Sequence, residues 1–160
     1  FAHKLKNKYI CVMKKYKTLD FNTEDLESLS NSDLKKVADY ELRNYLLRNT
    51  TGFGERVWCP IKKQSYHVSK MHVAHFIDRG FSMWTRYYLK NCHLISAQSN
   101  TWDAQILLDG YKSKHHYEYE IYLKQMYGDD IITELNIIAE NKELFTKENY
   151  IKVINEYRGV

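Results

Sequence analysis

The sequence predicts an α+β chain, and three observations carry that expectation. Leu34, Val37, Ala38, Leu42, Tyr45 and Leu46 recur at three- and four-residue steps, the period of an amphipathic helix. Ser65 to Ile77 is rich in β-branched and aromatic residues, and an extended region starts before it at Val57-Trp58-Cys59-Pro60, which holds the one proline of the chain. The last third returns to helical spacing, with stripes through Ile131, Ile132, Leu135, Ile138 and Ala139 and again through Tyr150, Ile151, Ile154 and Tyr157.

In chain order, the first helix is expected over Asp33 to Asn49, with Ser32 as its N-cap. Thr50-Thr51-Gly52-Phe53-Gly54 ends it. Val57-Trp58-Cys59-Pro60 opens an extended region that the proline stops. A short strand or hairpin is expected through Val73 to Ile77, turned by Asp78-Arg79-Gly80. A second extended piece over Asn91 to Ile95 leads into a helix from about Ser96 to Leu108. Gly128 is the expected stop of a helix that carries Tyr117 and Ile121, and Thr146 the cap of the final helix. Residues 1–32 read as a basic arm and linker, and residues 33–160 as one domain. Trp58, Trp84 and Trp102 are expected in its core.

Of the 160 residues 44% are hydrophobic and 28% charged, which excludes a disordered chain. No apolar run approaches the ~20 residues that cross a bilayer, and no signal peptide is read. The net charge of +4 is unevenly spread. Lys4, Lys6, Lys8, Lys14, Lys15 and Lys17 precede the first acid, whereas acids gather after Glu118. Such asymmetry suits a polyanion-facing surface, although charge alone favours a solvated lysine face. Cys11, Cys59 and Cys92 are odd in number and far apart, so neither a disulfide scaffold nor a four-ligand zinc knuckle is expected.

The chemistry concentrates in Met71 to Asn100, which holds His72, His75, Asp78, Arg79, Arg86, Asn91, His93 and Asn100. Histidine accepts protons near neutral pH, arginine clamps phosphate oxygens, and asparagine binds hard cations or fixes an imidazole tautomer. A histidine base, a divalent metal and one or two arginines suffice for phosphodiester hydrolysis. Each of these residues also has a structural reading: a core histidine, a turn asparagine, a surface arginine.

Ala74-His75-Phe76-Ile77-Asp78-Arg79-Gly80, then Thr85-Arg86-Tyr87, then Asn91-Cys92-His93 and Asn100, resembles the HNH-type nuclease core of the phage NinG/Rap recombination family. That family reads G-H-F/Y-x-x-R, T/L-R-F and N-V/I-H-x-Q-C-x-x-C-N. Upstream, Ala38-Asp39 with Arg43 and Arg48 is similar to its A-D helix. Downstream, Tyr119, Leu123, Tyr127-Gly128 and Glu156-Tyr157-Arg158 extend the likeness over roughly residues 33 to 158. The resemblance implies a small ββα-metal core flanked by N- and C-terminal helices. It also implies a phage-encoded endonuclease, working in the host cytoplasm on branched DNA such as Holliday junctions or D-loops. By the same resemblance His75 is the general base, Asn91 orients the base or its loop, and Arg79 and Arg86 meet phosphate. Asn100 stands where such nucleases place a metal ligand, for one Mg²⁺ or Mn²⁺ ion. Arg43, Arg48, Lys112 and Lys114 are the further candidates for DNA contact, the two lysines being otherwise a solvated loop.

Two departures from the family pattern matter. Ser96 and Ser99 replace one C-x-x-C pair and Lys62 replaces the partner of Cys59, so a structural zinc is not expected. Ala74 stands where many HNH nucleases carry an Asp or His ligand before the base. His72 is then either a substitute ligand or a strand histidine, and Asp78 either a second ligand or a turn residue. The alternatives to a nuclease are a branched-DNA-binding protein with weakened cleavage and a helical oligomerisation scaffold. A two-fold dimer is expected if branched DNA is the partner.

Overall fold

The computed structural model describes residues 26–50, 55–103 and 114–159; the side chains of 101–103 and 114 lie outside that description. Its elements run α1 (Asn31–Thr50), β1 (Arg56–Cys59), β2 (Gln64–His67), β3 (Met71–His75), the single turn α2 (Met83–Arg86), β4 (Cys92–Ser96), α3 (Ala97–Asp103), α4 (Lys114–Tyr127), α5 (Ile131–Ala139) and α6 (Lys147–Arg158). Helices and two small antiparallel sheets, β1-β2 and β3-β4, make this an α+β fold.

Helix α1 starts two residues earlier than the apolar spacing predicts. Ser30, not Ser32, caps it: its Oγ accepts the Asp33 N–H at 3.2 Å and donates to Asp33 Oδ2 at 2.7 Å. The helix buries Leu34, Val37, Ala38, Glu41, Leu42 and Leu46 on one side. Upstream of it Leu26 is fully buried in the same core, so the packed region reaches back into the segment expected to be a linker.

Hairpin β1-β2 pairs Arg56 with His67 and Cys59 with Gln64. Its turn runs through Pro60 to Lys63, where Lys63 takes a left-handed φ of 50° and donates its N–H to the Cys59 carbonyl at 2.8 Å. Strand alternation buries Val57 and Cys59 and leaves Trp58 57% exposed, so this tryptophan is not a core residue. Trp84 is partly buried, stacks edge-on against Phe145 at 5.1 Å and donates Nε1–H to the Glu143 carbonyl. Trp102 has its side chain outside the described region, as do residues 104–113, where the expected helix to Leu108 would end.

Hairpin β3-β4 runs from Met71↔Ser96 to His75↔Cys92. Every residue of β4 is buried, and α3 follows it without a break. The order is therefore strand, strand, helix. A 3₁₀ turn, Val68–Lys70, leads into β3.

The C-terminal helices fold back on the core. Leu123, Ile131, Leu135, Ile154 and Tyr157 are all essentially buried. Gly128, at φ 95°, closes α4. Thr146 and Asn149 form a capping box at α6, which ends at Gly159 in the left-handed region. Helix α6 packs along α1: Arg158 Nε donates to Glu41 Oε1 at 2.9 Å, the Arg48 guanidinium donates to the Tyr157 carbonyl, and the Tyr45 and Tyr157 rings lie 5.2 Å apart.

Emptying the α1–α6 contact with Ile154→Ala is expected to lower unfolding free energy by about 2–5 kcal/mol. Trp58→Ala, on the solvent face of β1, should stay within about 0.5 kcal/mol of wild type. Urea denaturation of the two variants measures both.

Candidate functional site

The loop between β3 and β4, residues 76–91, is organised by Asn91, which is fully buried. Its Oδ1 accepts the Ile77 N–H at 2.8 Å, and its Nδ2 donates to the Ile77 and Thr85 carbonyls, each at 3.0 Å. Its own carbonyl accepts the Phe76 N–H at 3.0 Å. One amide thus ties both ends of the loop and satisfies three backbone groups that burial would otherwise strand. The loop turns at Asp78, whose Oδ1 accepts the Gly80 N–H at 2.6 Å.

His75 ends β3, half-buried beneath this loop. Its Nε2 lies 3.0 Å from the Arg86 carbonyl. A carbonyl only accepts, so Nε2 carries the proton and Nδ1 keeps its lone pair. Nδ1 makes no hydrogen bond among the described residues. The Cys92 thiol points to the same carbonyl at 3.2 Å, and burial pushes its pKa up, so it stays protonated. Burial lowers the His75 pKa to about 4; the carbonyl and Asp39 oppose this, and the charges of Arg86 and Arg79 add to it. At neutral pH the ring is an uncharged acceptor.

The arginines divide sharply. Arg86, 6% exposed, forms a two-pronged ion pair with Asp39: Nε to Oδ1 at 2.9 Å and Nη2 to Oδ2 at 2.6 Å. Arg43 donates to the carbonyls of Met71 at 2.8 Å and Val68 at 3.3 Å, and Arg48 is engaged by Tyr157. These three candidates for DNA contact have donors committed inside the fold. Arg79 is exposed at the loop tip, and its positive charge reaches His75. Lys112 lies outside the described residues, and so does the side chain of Lys114, the first residue of α4.

The expected metal donors stand on three different elements: His72 on β3, Asp78 in the loop after it and Asn100 on α3. His72 is three residues before His75 in the same strand, so the two rings project from opposite faces. His72 is exposed, and burial of part of its ring together with the Arg43 charge lowers its pKa; that neighbouring cation also disfavours a metal ion. Asp78 is exposed with one oxygen held by Gly80. Asn100, half-buried on α3, makes no side-chain hydrogen bond among the described residues. Among the described residues no group of three or more His, Cys, Asp or Glu could hold a metal ion.

Two further clusters surround the hairpin. His93, opposite Ala74, is caged by tyrosines: Nδ1 meets the Tyr119 hydroxyl and Nε2 the Tyr127 hydroxyl, each at 3.0 Å. Tyr119 donates to the Ala74 carbonyl at 3.3 Å, so it accepts from His93 Nδ1–H, and Tyr127 donates to Nε2. Burial lowers the His93 pKa to about 4. The cage fastens α4 to the hairpin, a role the sequence reading left open. On the other side Ser96 N–H donates to Cys59 Sγ at 3.3 Å, and the Ser96 and Ser99 hydroxyls lie 3.0 Å apart. The end of β1 and the start of α3 therefore meet.

No protein-family model, no curated protein and no solved structure matches the chain. Within the described residues no helix is long and apolar enough to cross a membrane.

The two histidines lowered to about 4, His75 and His93, set an acid sensitivity. An unfolded histidine titrates near 6.5, so between that value and about 4 the unfolded chain binds more protons than the fold. Stability present above pH 6.5 is lost as pH falls toward 4, by up to roughly 3 kcal/mol for His93 and less for half-buried His75. Urea melts at pH 7.5 and 4.5 should show this slope, and His93→Phe should flatten it. An equal slope in that variant would contradict the assignment.

Proposed function

We propose that this chain is a metal-dependent endonuclease that hydrolyses phosphodiester bonds in DNA, with branched DNA of phage recombination as the substrate class. The observation that carries the reading is the state of His75. Its Nε2–H is fixed by the Arg86 carbonyl, its Nδ1 is left as an acceptor, and its loop is clamped by Asn91. Orientation of an imidazole by a backbone carbonyl is what a general base needs.

In this mechanism Nδ1 of His75 takes a proton from water as that water attacks phosphorus. Arg79, exposed beside His75, contacts the non-bridging oxygens of the phosphate. The phosphate charge also raises the His75 pKa from its low resting value, because a nearby anion favours the imidazolium. The base thus strengthens on the bound substrate. Of the expected metal donors, Asn100 and Asp78 offer the oxygens that suit a hard ion such as Mg²⁺ or Mn²⁺, and His72 does not face His75. Such an ion supplies charge stabilisation of the leaving oxygen.

The strand-strand-helix order of β3, β4 and α3 supports an HNH-like core. So does the meeting of Cys59 with Ser96 and Ser99, residues separated by more than thirty positions in sequence. A second reading, a protein that binds branched DNA without cutting it, is favoured by Ala74 before the base and by His72 on the opposite strand face.

Cleavage of a labelled four-way junction and of linear duplex, with Mg²⁺, Mn²⁺ or EDTA, separates the two. The nuclease reading expects cutting that needs metal and falls about 10²–10⁴-fold in His75→Ala. Binding without any metal- and His75-dependent cutting selects the second reading. The resemblance itself has a separate test. Lys62→Cys, Ser96→Cys and Ser99→Cys together should create, with Cys59, a site that takes Co²⁺ with thiolate charge-transfer absorption. Failure of the folded triple variant to bind would remove that support.

A further inference from the structure

We propose that Asp39 is a positioning residue for His75, acting through Arg86. The inference deepens the nuclease reading and rests on it for its catalytic consequence. The geometry beneath it stands without that reading. The carbonyl that fixes the His75 tautomer belongs to the last residue of α2, a helix of four residues. So short a helix has almost no intrinsic stability, and its last carbonyls lack partners within it. Asn91 holds the neighbouring Thr85 carbonyl and the Cys92 thiol meets this one, but neither ties α2 to the helical layer.

The Arg86 side chain supplies that tie. Its Nε and Nη2 grip both oxygens of Asp39, and its Nη1 donates to the Arg79 carbonyl at 3.3 Å. Tyr87, the next residue, donates its hydroxyl to Asp39 Oδ1 at 3.0 Å. Asp39 thus receives three hydrogen bonds from two consecutive residues of the loop. It stands on α1, which packs along α6, and so transmits the rigidity of the helical layer to the Arg86 backbone. A fork matched to a carboxylate fixes direction as well as distance, whereas a point charge would fix distance alone. Without the fork, α2 can rotate its terminal carbonyl away from Nε2. The ring then samples the other tautomer, in which Nδ1 bears the proton and cannot act as a base.

The test reads the ring directly. Histidine-ring ¹⁵N spectra of the full chain at pH 7, assigned with His75→Ala, are compared for wild type, Asp39→Asn and Arg86→Lys. Wild type is expected to show His75 wholly protonated on Nε2. Both variants are expected to shift His75 toward a mixture of tautomers while the His93 signals stay in place. Should Asp39→Asn fail to fold, Asp39→Glu, which keeps the charge and lengthens the arm, is read in the same way. A folded variant whose His75 remains wholly Nε2-protonated overturns the proposal and leaves Asp39 as a stabilising contact only. In the cleavage assay kcat of the folded variants should fall about ten- to a hundred-fold with KM little changed. If wild type cuts no DNA at all, the nuclease reading fails, and the ring spectra still decide the role of Asp39.

Discussion

The buried side chain of Asn91 is the constraint on which the rest of the loop depends. Fully buried, it accepts from one backbone N–H and donates to two carbonyls. Only a carboxamide has both capacities on one short arm. An aspartate would turn a negative charge on two carbonyl oxygens, a serine would not reach, and a leucine would strand three backbone groups at about 1–3 kcal/mol each. With the amide in place, residues 77 and 85 are held to the first turn before β4. The Arg86 carbonyl is one residue beyond Thr85. The position of the carbonyl that meets His75 therefore depends, besides the Arg86–Asp39 pair, on an amide that never touches the ring.

Charge around this loop is arranged by the same logic. His75 sits close to two guanidinium groups, and burial alone already disfavours a proton on it. Arg86 is tolerable in the interior because Asp39 takes both of its outward N–H groups. A buried guanidinium without that partner would be strongly destabilising. The result is a neutral ring, a protonated thiol at Cys92 and a paired arginine clustered around one carbonyl oxygen. Arg79, outside the pair, holds its charge at the exposed tip of the loop, next to Asp78.

Much of the helical frame was legible because its signals are local. Apolar spacing located α1, α5 and α6, Thr146 marked a cap, and Gly128 a stop, each within a turn's length of sequence. The separate strand β2 was not legible: Gln64-Ser65-Tyr66-His67 has no alternation, and it is a strand because β1 offers it a partner. The Ser30 cap was missed because Ser32 sits nearer the apolar stripe, whereas cap geometry needs the side chain three residues before Asp33. Inward-facing arginines were illegible for a plainer reason. Asp39 is 47 residues from Arg86, and the acceptors of Arg43 and Arg48 are backbone carbonyls, which no side-chain pattern announces. The opposite facing of His72 and His75 was legible in principle, since a spacing of three in a strand always changes face.

The cluster of Cys59, Ser96 and Ser99 bears on why the chain carries so much helix. A four-thiolate zinc site of the kind the resembling family holds contributes on the order of 10 kcal/mol to folding, whereas a neutral hydrogen bond contributes about 1 kcal/mol. Two hydroxyls and a thiol cannot replace a metal on those figures. The hairpins here are short, four and five residues per strand, and a small sheet alone is marginal. Stabilisation must come from apolar burial elsewhere, at about 1.5–3 kcal/mol for each large side chain. The layer of α1 against α6, with α4 fastened to β4 and α5 packed on α2 and α4, supplies it through Leu42, Leu123, Leu135, Ile154 and Tyr157. On this argument the C-terminal helices share one core with the β3-β4 hairpin: removing them would unfold the loop that holds His75 rather than release an independently folded hairpin.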